Sequence, residues 1–401
     1  MRKYERFRSP HVVFGDNSLD VLGTKLSAAG AKKCLIITDE GIVKLGFADR
    51  AKKIIEAAGI ECDIYDKCLP DPPDYICIEA SKVIKDNGYD SVVGFGGGSS
   101  MDTAKVASLL AGIPEEIEDL HEYGAATPNT KMRASYSRPV YLITVPTTSG
   151  TAAETTITGV ISSTQHDVKF SIGNENMIAD MAIVDPMLTV GMPSRPTVNC
   201  GIDILAHAIE TVVGTQQSDY TNLLMLDCID KAWKWLPVAV KEPDNLEARD
   251  QLSYAAHNAL AHAGVPNGHA IAHAIGALYH VIHGHACAIV LPTVVRWMAQ
   301  ADEAQESIQK IANIIGVPVT GDKMTDGNYV ADAILKYYKD LGLTTLQETL
   351  KEKGINEDRE SFIEKAIPMT LDDGKSKQWM PPIHEDKEQL KKVLGMIYDE
   401  K

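Results

Sequence analysis

The feature that most constrains the fold of this chain is a change in hydrophobic periodicity near residue 186. Before it, short β-branched runs alternate with helical stretches. CLIIT (34–38), SVVGF (91–95), YLITVP (141–146) and MAIVD (181–185) read as buried parallel strands. Between the first two, KLGFADRAKKIIEAAG (44–59) and DYICIEASKVIKDNG (74–88) carry apolar residues at helical spacing, each closed by a glycine. The piece from Thr158 to Ile172 reads as an antiparallel excursion. Strand–helix alternation of this kind dictates a parallel sheet with helices on both faces. Beyond Pro186 the segments ILAHAIETVVG, TNLLMLDCIDKAWKWL, QLSYAAHNALAHAG and GHAIAHAIGALYH all repeat with a period of 3.6, and strand-like runs are scarce. The chain therefore reads as α/β plus all-α. A parallel-sheet domain is expected over residues 1–189 and an all-helical domain over 190–401, with the junction in the Pro- and Gly-rich stretch Pro186–Pro196.

Bulk properties narrow the function classes. A length of 401 residues exceeds what one core usually covers, which agrees with two domains. A net charge of -16 argues against nucleic acid and anionic membrane surfaces, both of which require a surplus of Lys and Arg. The first twenty residues hold no apolar signal segment, and no apolar run reaches the roughly 18 residues of a spanning helix. The seven cysteines, at 34, 62, 68, 77, 200, 228 and 287, are scattered, odd in number and form no C-x-x-C pair. That is the pattern of reduced thiols, so a cytoplasmic protein is expected.

Within the first half, GFGGGSSMDTAK (94–105) follows a strand and opens a helix. Its three consecutive glycines, Gly96, Gly97 and Gly98, let backbone approach a ligand closely, and the free amides of the new helix favour an anion. Ser99 adds a hydroxyl. The stretch is not a G-x-G-x-x-G fingerprint, and a purely structural turn is the competing reading. Asp39, at the end of the first clear strand, is placed either to take ribose hydroxyls and repel a 2′-phosphate, or to cap a helix. VPTTSGTAAETT (145–156) supplies hydroxyls at another strand end, or forms a polar turn.

The helical half carries the strongest chemical signal. Seven of the twelve histidines lie between 257 and 285. Asp203 and His207 are four apart in GIDILAHAIE, which puts both on one helix face roughly 5–6 Å apart. His269 and His273 repeat that spacing, and His283 follows at a break. One carboxylate with several imidazoles is a ligand mix for Fe(II), Zn or another divalent ion. An isolated Asp/His pair is equally an ordinary helix-surface hydrogen bond; it is the accumulation in one domain that points to a metal.

These motifs together resemble the iron-containing (group III) alcohol dehydrogenase family. GGGSSMD, PTTSGTAAE, GIDILAHAIE and GHAIAHAIGALYHVIHG fall in the family's order over nearly the whole chain. The resemblance implies a Rossmann-like dinucleotide-binding domain followed by an all-helical metal-binding and catalytic domain. It implies Asp203, His207, His269 and His283 as ligands of one divalent ion, Fe(II) by the family's name, and His273 beside the metal and nicotinamide. It implies NAD(H) contacts at Asp39, Asp71, Gly97, Gly98, Ser99, Asp102, Thr147, Thr148, Lys169 and Leu188. The chain departs from the family at Ile204 and Cys200. It departs again in SYAAHNALAHAG (253–264), where relatives often place Phe or Met, and in LDDGKSKQWMPPIHEDK (371–387). Thr158, His257, Leu260 and His262 are the expected substrate-pocket residues, with His257 and His262 suited to a polar or anionic tail.

The expected chemistry is hydride transfer between NAD(H) and a small primary alcohol or aldehyde, in a homodimer or larger homo-oligomer with neither nucleic acid nor membrane as partner. His273 is the candidate to pass a proton, or else to orient a ligand. A hydroxyacid–oxoacid transhydrogenase with tightly bound NAD shares these motifs. A dehydroquinate-synthase- or glycerol-dehydrogenase-like enzyme shares the two-domain plan with fewer ligands. A non-catalytic metal-binding scaffold is the alternative from another class, distinguished by failure to bind nicotinamide.

Overall fold

The computed structural model describes residues 9–125, 127–166, 168–214, 218–260, 267–372 and 386–401. The chain divides into two compact units, one ending at Gly191 and the other being Met192–Lys401.

The first unit is built on eight strands and five helices. The strands are β1 (His11–Phe14), β2 (Lys33–Ile37), β3 (Glu61–Tyr65), β4 (Ser91–Gly96), β5 (Tyr141–Pro146), β6 (Thr158–Ser163), β7 (Val168–Gly173) and β8 (Met181–Val184). The helices are α1 (Leu22–Ala28), α2 (Glu40–Lys44), α3 (Phe47–Ala57), α4 (Asp74–Asp86) and α5 (Gly98–Leu110). Six strands form one sheet in the order β1-β8-β5-β4-β2-β3, with every neighbouring pair parallel. The antiparallel excursion is the separate pair β6–β7. Successive side chains of a strand point to opposite faces, and both faces here are apolar. Ile36, Val93, Phe95, Ile143 and Ile183 pack with Leu22, Ala48 and Ile55 of α1 and α3. Leu35, Ile37, Val92 and Leu142 pack with Ile76, Ala80, Ala104 and Ala107 of α4 and α5.

The sequence reading differs from the structure in three places. The expected helix 44–59 is two helices, because the chain breaks at Leu45–Gly46, where Gly46 adopts a left-handed φ of 77°. Strands β1 and β3 carry no continuous apolar run, because they lie at the two edges of the sheet and are only half buried. The helix expected over 251–264 ends at Asn258.

The second unit is helical among its described residues. It comprises α6 (Ser194–Val213), α7 (Asp219–Lys241), α8 (Leu246–Asn258), α9 (Asn267–Tyr279), α10 (His283–Met298), α11 (Asp302–Ile315), α12 (Lys323–Asp340), α13 (Leu346–Glu352), α14 (Arg359–Asp372) and α15 (Lys387–Asp399). Every residue of α6 from Gly201 to Val213 is buried, so this stretch is covered all round and its polar residues face protein rather than water. No helix among the described residues is long and apolar enough to cross a membrane.

Candidate active site

In the first unit, the expected cofactor residues gather where parallel-sheet proteins place ligands. After β2 the chain moves outward to β3, then returns to the other side of β2 as β4 and continues to β5 and β8. The order of strands therefore reverses between β2 and β4, and ligands of open parallel sheets sit beyond the carboxyl ends of strands at such a point. Asp39 follows β2, Gly97 and Gly98 follow β4, and Thr147 and Thr148 follow β5. Gly97 caps α5 without any side-chain cap, and the first turn of α5 carries no acidic residue. Backbone amides there are left to an anion, which fits a pyrophosphate.

Asp39 is shown as the cap of α2. Its Oδ1 accepts from the amides of Gly41 (2.9 Å) and Ile42 (3.2 Å), and its Oδ2 accepts from Ser100 Oγ (3.0 Å). Asp71, at a left-handed φ of 51°, pairs with Lys169 across 2.6 Å. Asp102 is tied into the scaffold. Its Oδ2 accepts from the Val160 amide at 3.0 Å, and its Oδ1 lies 2.9 Å from the buried Lys105 ammonium. Lys105 Nζ also donates to Ala153 O (2.7 Å), Thr156 Oγ1 (2.8 Å) and Thr158 O (2.5 Å). This network fastens the start of α5 to β6 and to the Thr-rich turn after β5. The Ser99 carbonyl accepts from Thr103 Oγ1, and Leu188 is buried in the apolar cluster of α1 and α3.

In the second unit, three helices bring the expected metal residues together. Asp203 and His207 lie one turn apart on α6, His269 is in the first turn of α9, and His283 is the first residue of α10. Backbone contact positions His283: a Cβ at Gly284 would stand 2.1 Å from the Asn199 carbonyl oxygen, so only glycine lets α10 begin this close to α6. The Nε2 atoms of His207, His269 and His283 lie 3.6, 3.5 and 3.4 Å from Asp203 Oδ1. These separations exceed ordinary hydrogen-bond lengths, and Asp203 Oδ1 is buried without a hydrogen-bond partner. Two donors each about 2.1 Å from a tetrahedral ion stand about 3.4 Å apart, so the spacing fits a shared divalent cation. Burial alone would push the Asp203 carboxyl up. The His207, His283 and His269 imidazoles outweigh that effect and hold it well below the usual carboxylate range.

Glu210, one turn beyond His207, was not found by sequence reasoning. It is buried, and its Oε1 stands 2.9 Å from His269 Nδ1 while its Oε2 accepts the His269 amide. A carboxylate only accepts, so His269 carries its proton on Nδ1 and turns the Nε2 lone pair towards Asp203. Cys287, one turn after His283, was also missed; its Sγ joins Asp203, His269 and His283 in a group whose donor atoms lie within 4.8 Å of one another. The signal for both was on the page as spacing, 203/207/210 and 283/287, each on one helical face.

The remaining histidines divide. The His273 ring lies 5.1 Å from that of His283. His257 is buried in the last turn of α8, Leu260 is half buried just beyond it, and His262 lies outside the described residues. His285 is held by Thr344, with its Nε2 3.0 Å from the Thr344 carbonyl oxygen, and burial pushes its pKa down.

Two family models match nearly the whole chain: iron-containing alcohol dehydrogenase over residues 9–186, and the C-terminal domain of the Fe-containing alcohol dehydrogenase family over 197–394. The chain belongs to the iron-containing alcohol dehydrogenase family. A NAD-dependent methanol dehydrogenase of Bacillus methanolicus is 32% identical over 342 residues, 84% of this chain and 87% of that protein. A 1,3-propanediol dehydrogenase of Klebsiella pneumoniae is 31% identical over 350 residues, 86% of this chain and 87% of that one. A crystal structure of 1,3-propanediol oxidoreductase superposes with a TM-score of 0.87 at 28% identity, covering 98% of this chain and 100% of that one. Membership of this family makes the protein an oxidoreductase of the alcohol dehydrogenase type.

Proposed function

We propose that the protein interconverts a small primary alcohol and its aldehyde with NAD(H), using a divalent ion held by Asp203, His207, His269 and His283. The observation that carries this reading is the convergence of three imidazole Nε2 atoms on one buried, unsatisfied carboxylate oxygen. Residues 1–189 take the dinucleotide and residues 190–401 hold the metal. When bound, the ion polarises the substrate oxygen and the nicotinamide carries the hydride. Asp203 and Glu210 supply two buried negative charges that offset the charge of a divalent ion. Glu210 fixes the tautomer of His269. His273, beside His283, passes the proton that the alcohol oxygen loses or the carbonyl oxygen gains. The α5 amides and Thr147 and Thr148 hold the pyrophosphate, and Asp39 disfavours a 2′-phosphate; the residues assigned to face the substrate are Thr158 in the first unit and His257 and Leu260 in the second. Seven cysteines that form no disulfide suit the cytoplasm. Exposed Tyr220 and Leu223, one turn apart on α7, suit self-association into a homodimer or larger homo-oligomer.

The test is NADH oxidation by anaerobically purified protein against neutral and charged small aldehydes, with and without added Fe(II). Metal-dependent oxidation with preference for NADH over NADPH is expected. Slow NADH turnover with rapid exchange between a bound-cofactor pair of substrates would replace this reading with a transhydrogenase, and no nicotinamide binding would leave a scaffold.

Glu210→Gln keeps the side chain's size but removes the anionic acceptor that orients His269. Metal affinity should fall by about 10–100-fold, as for other outer partners of metal-bound histidines, with helix content unchanged. A chelator-competition titration that gave the same dissociation constant for variant and parent would remove the positioning role.

A further inference from the structure

We infer that the Cys287 thiol is a sulfur donor to the same ion, which makes this centre a mixed oxygen, nitrogen and sulfur site. The inference rests on the reading of Asp203, His207, His269 and His283 as metal ligands and extends it. Cys287 is 2% exposed and lies four residues after His283 on α10, so both side chains stand on one face. Its Sγ lies 3.6 Å from His283 Nε2 and 3.8 Å from His269 Nε2. For a five-coordinate ion about 2.3 Å from sulfur and about 2.1 Å from nitrogen, neighbouring donors stand about 3.1–3.8 Å apart. The His283 and His269 nitrogens are thus spaced from the sulfur much as they are from Asp203 Oδ1, as donors around one point would be. Asp203 Oδ1, buried and without a hydrogen-bond partner, independently marks that point.

On binding, the Cys287 S–H bond breaks, its proton leaves to solvent, and the sulfur electron pair forms the bond to the ion. A thiolate among imidazoles shifts preference towards softer divalent ions, so zinc and cobalt are held more tightly relative to Fe(II) than by oxygen and nitrogen donors alone.

The experiment is anaerobic titration of the chelator-stripped protein with Co(II), followed by absorption. The parent should show visible ligand-field bands together with an intense near-ultraviolet band from sulfur-to-cobalt charge transfer. Cys287→Ser and Cys287→Ala should keep the visible bands, lose the near-ultraviolet band, and bind Zn(II) at least about tenfold more weakly. Visible bands without the near-ultraviolet band in the parent would overturn the inference while the four-ligand reading stood. A near-ultraviolet band that persisted in both variants would do the same, placing the sulfur elsewhere. Absence of any cobalt uptake would overturn both readings. Should the variants fail to fold, zinc-edge X-ray absorption of the parent decides: a sulfur shell at about 2.3 Å supports the inference, and a shell of nitrogen and oxygen alone rejects it.

Discussion

Asp203→Asn protein is expected to fold and to lose about three orders of magnitude in kcat/KM. Asp203 is the point on which His207, His269 and His283 converge, and its carboxyl is held charged by those imidazoles. Asparagine retains the shape but offers a neutral amide oxygen, so the divalent ion loses its anionic ligand. Polarisation of the substrate oxygen by such an ion is worth several kcal/mol, and about 4 kcal/mol of barrier corresponds to that thousandfold. Elemental analysis should find the variant largely free of iron and zinc, while circular dichroism matches the parent. A variant that kept one equivalent of metal and turned over within tenfold of the parent would remove Asp203 from the centre.

The second large effect is on stability. Lys105→Met should cost about 3–5 kcal/mol, the range for removing one partner of a buried ion pair. Lys105 is fully buried, and its ammonium satisfies Asp102, Thr156 and two carbonyl oxygens. Methionine fills similar space but removes the ammonium's charge and its hydrogen bonds, leaving the Asp102 carboxylate without its cation. A fall in Tm of about 10 °C is expected. Lys105→Met with Asp102→Leu should recover part of the loss, because the uncompensated carboxylate is then gone. Thermal unfolding of the single and double variants checks this, and a single-variant loss below about 1 kcal/mol would show the network to be dispensable.

How much was legible in the sequence follows from what each residue needs. The central strands β2, β4, β5 and β8 are buried on both faces, so their apolar runs announced them, whereas edge strands β1 and β3 had no such run to show. Asp203 and His207 declared their shared face by a spacing of four, since a helix turns every 3.6 residues. That His269 and His283 meet them depends on how α6, α9 and α10 pack, which periodicity does not encode; the family resemblance supplied it. Asp39 was open between two roles because both need a carboxylate after a strand, and its three hydrogen bonds appear only in three dimensions. Glu210 and Cys287 were passed over because a glutamate on a helix and a lone cysteine are common. Their burial beside imidazoles gives them meaning.

The donors of the centre come from three separate helices, with no covalent tie between them. An ion that joins α6, α9 and α10 is therefore a cross-link as well as a reagent. By mass action, a ligand that binds only the folded chain adds about 2.7 kcal/mol of stability when it is present at a hundred times its dissociation constant. Metal supply then sets two quantities through one equilibrium: how fast the protein turns over, and how long the helical unit resists opening where α9 and α10 begin. Starved of its ion, the protein becomes both an idle catalyst and a shorter-lived one.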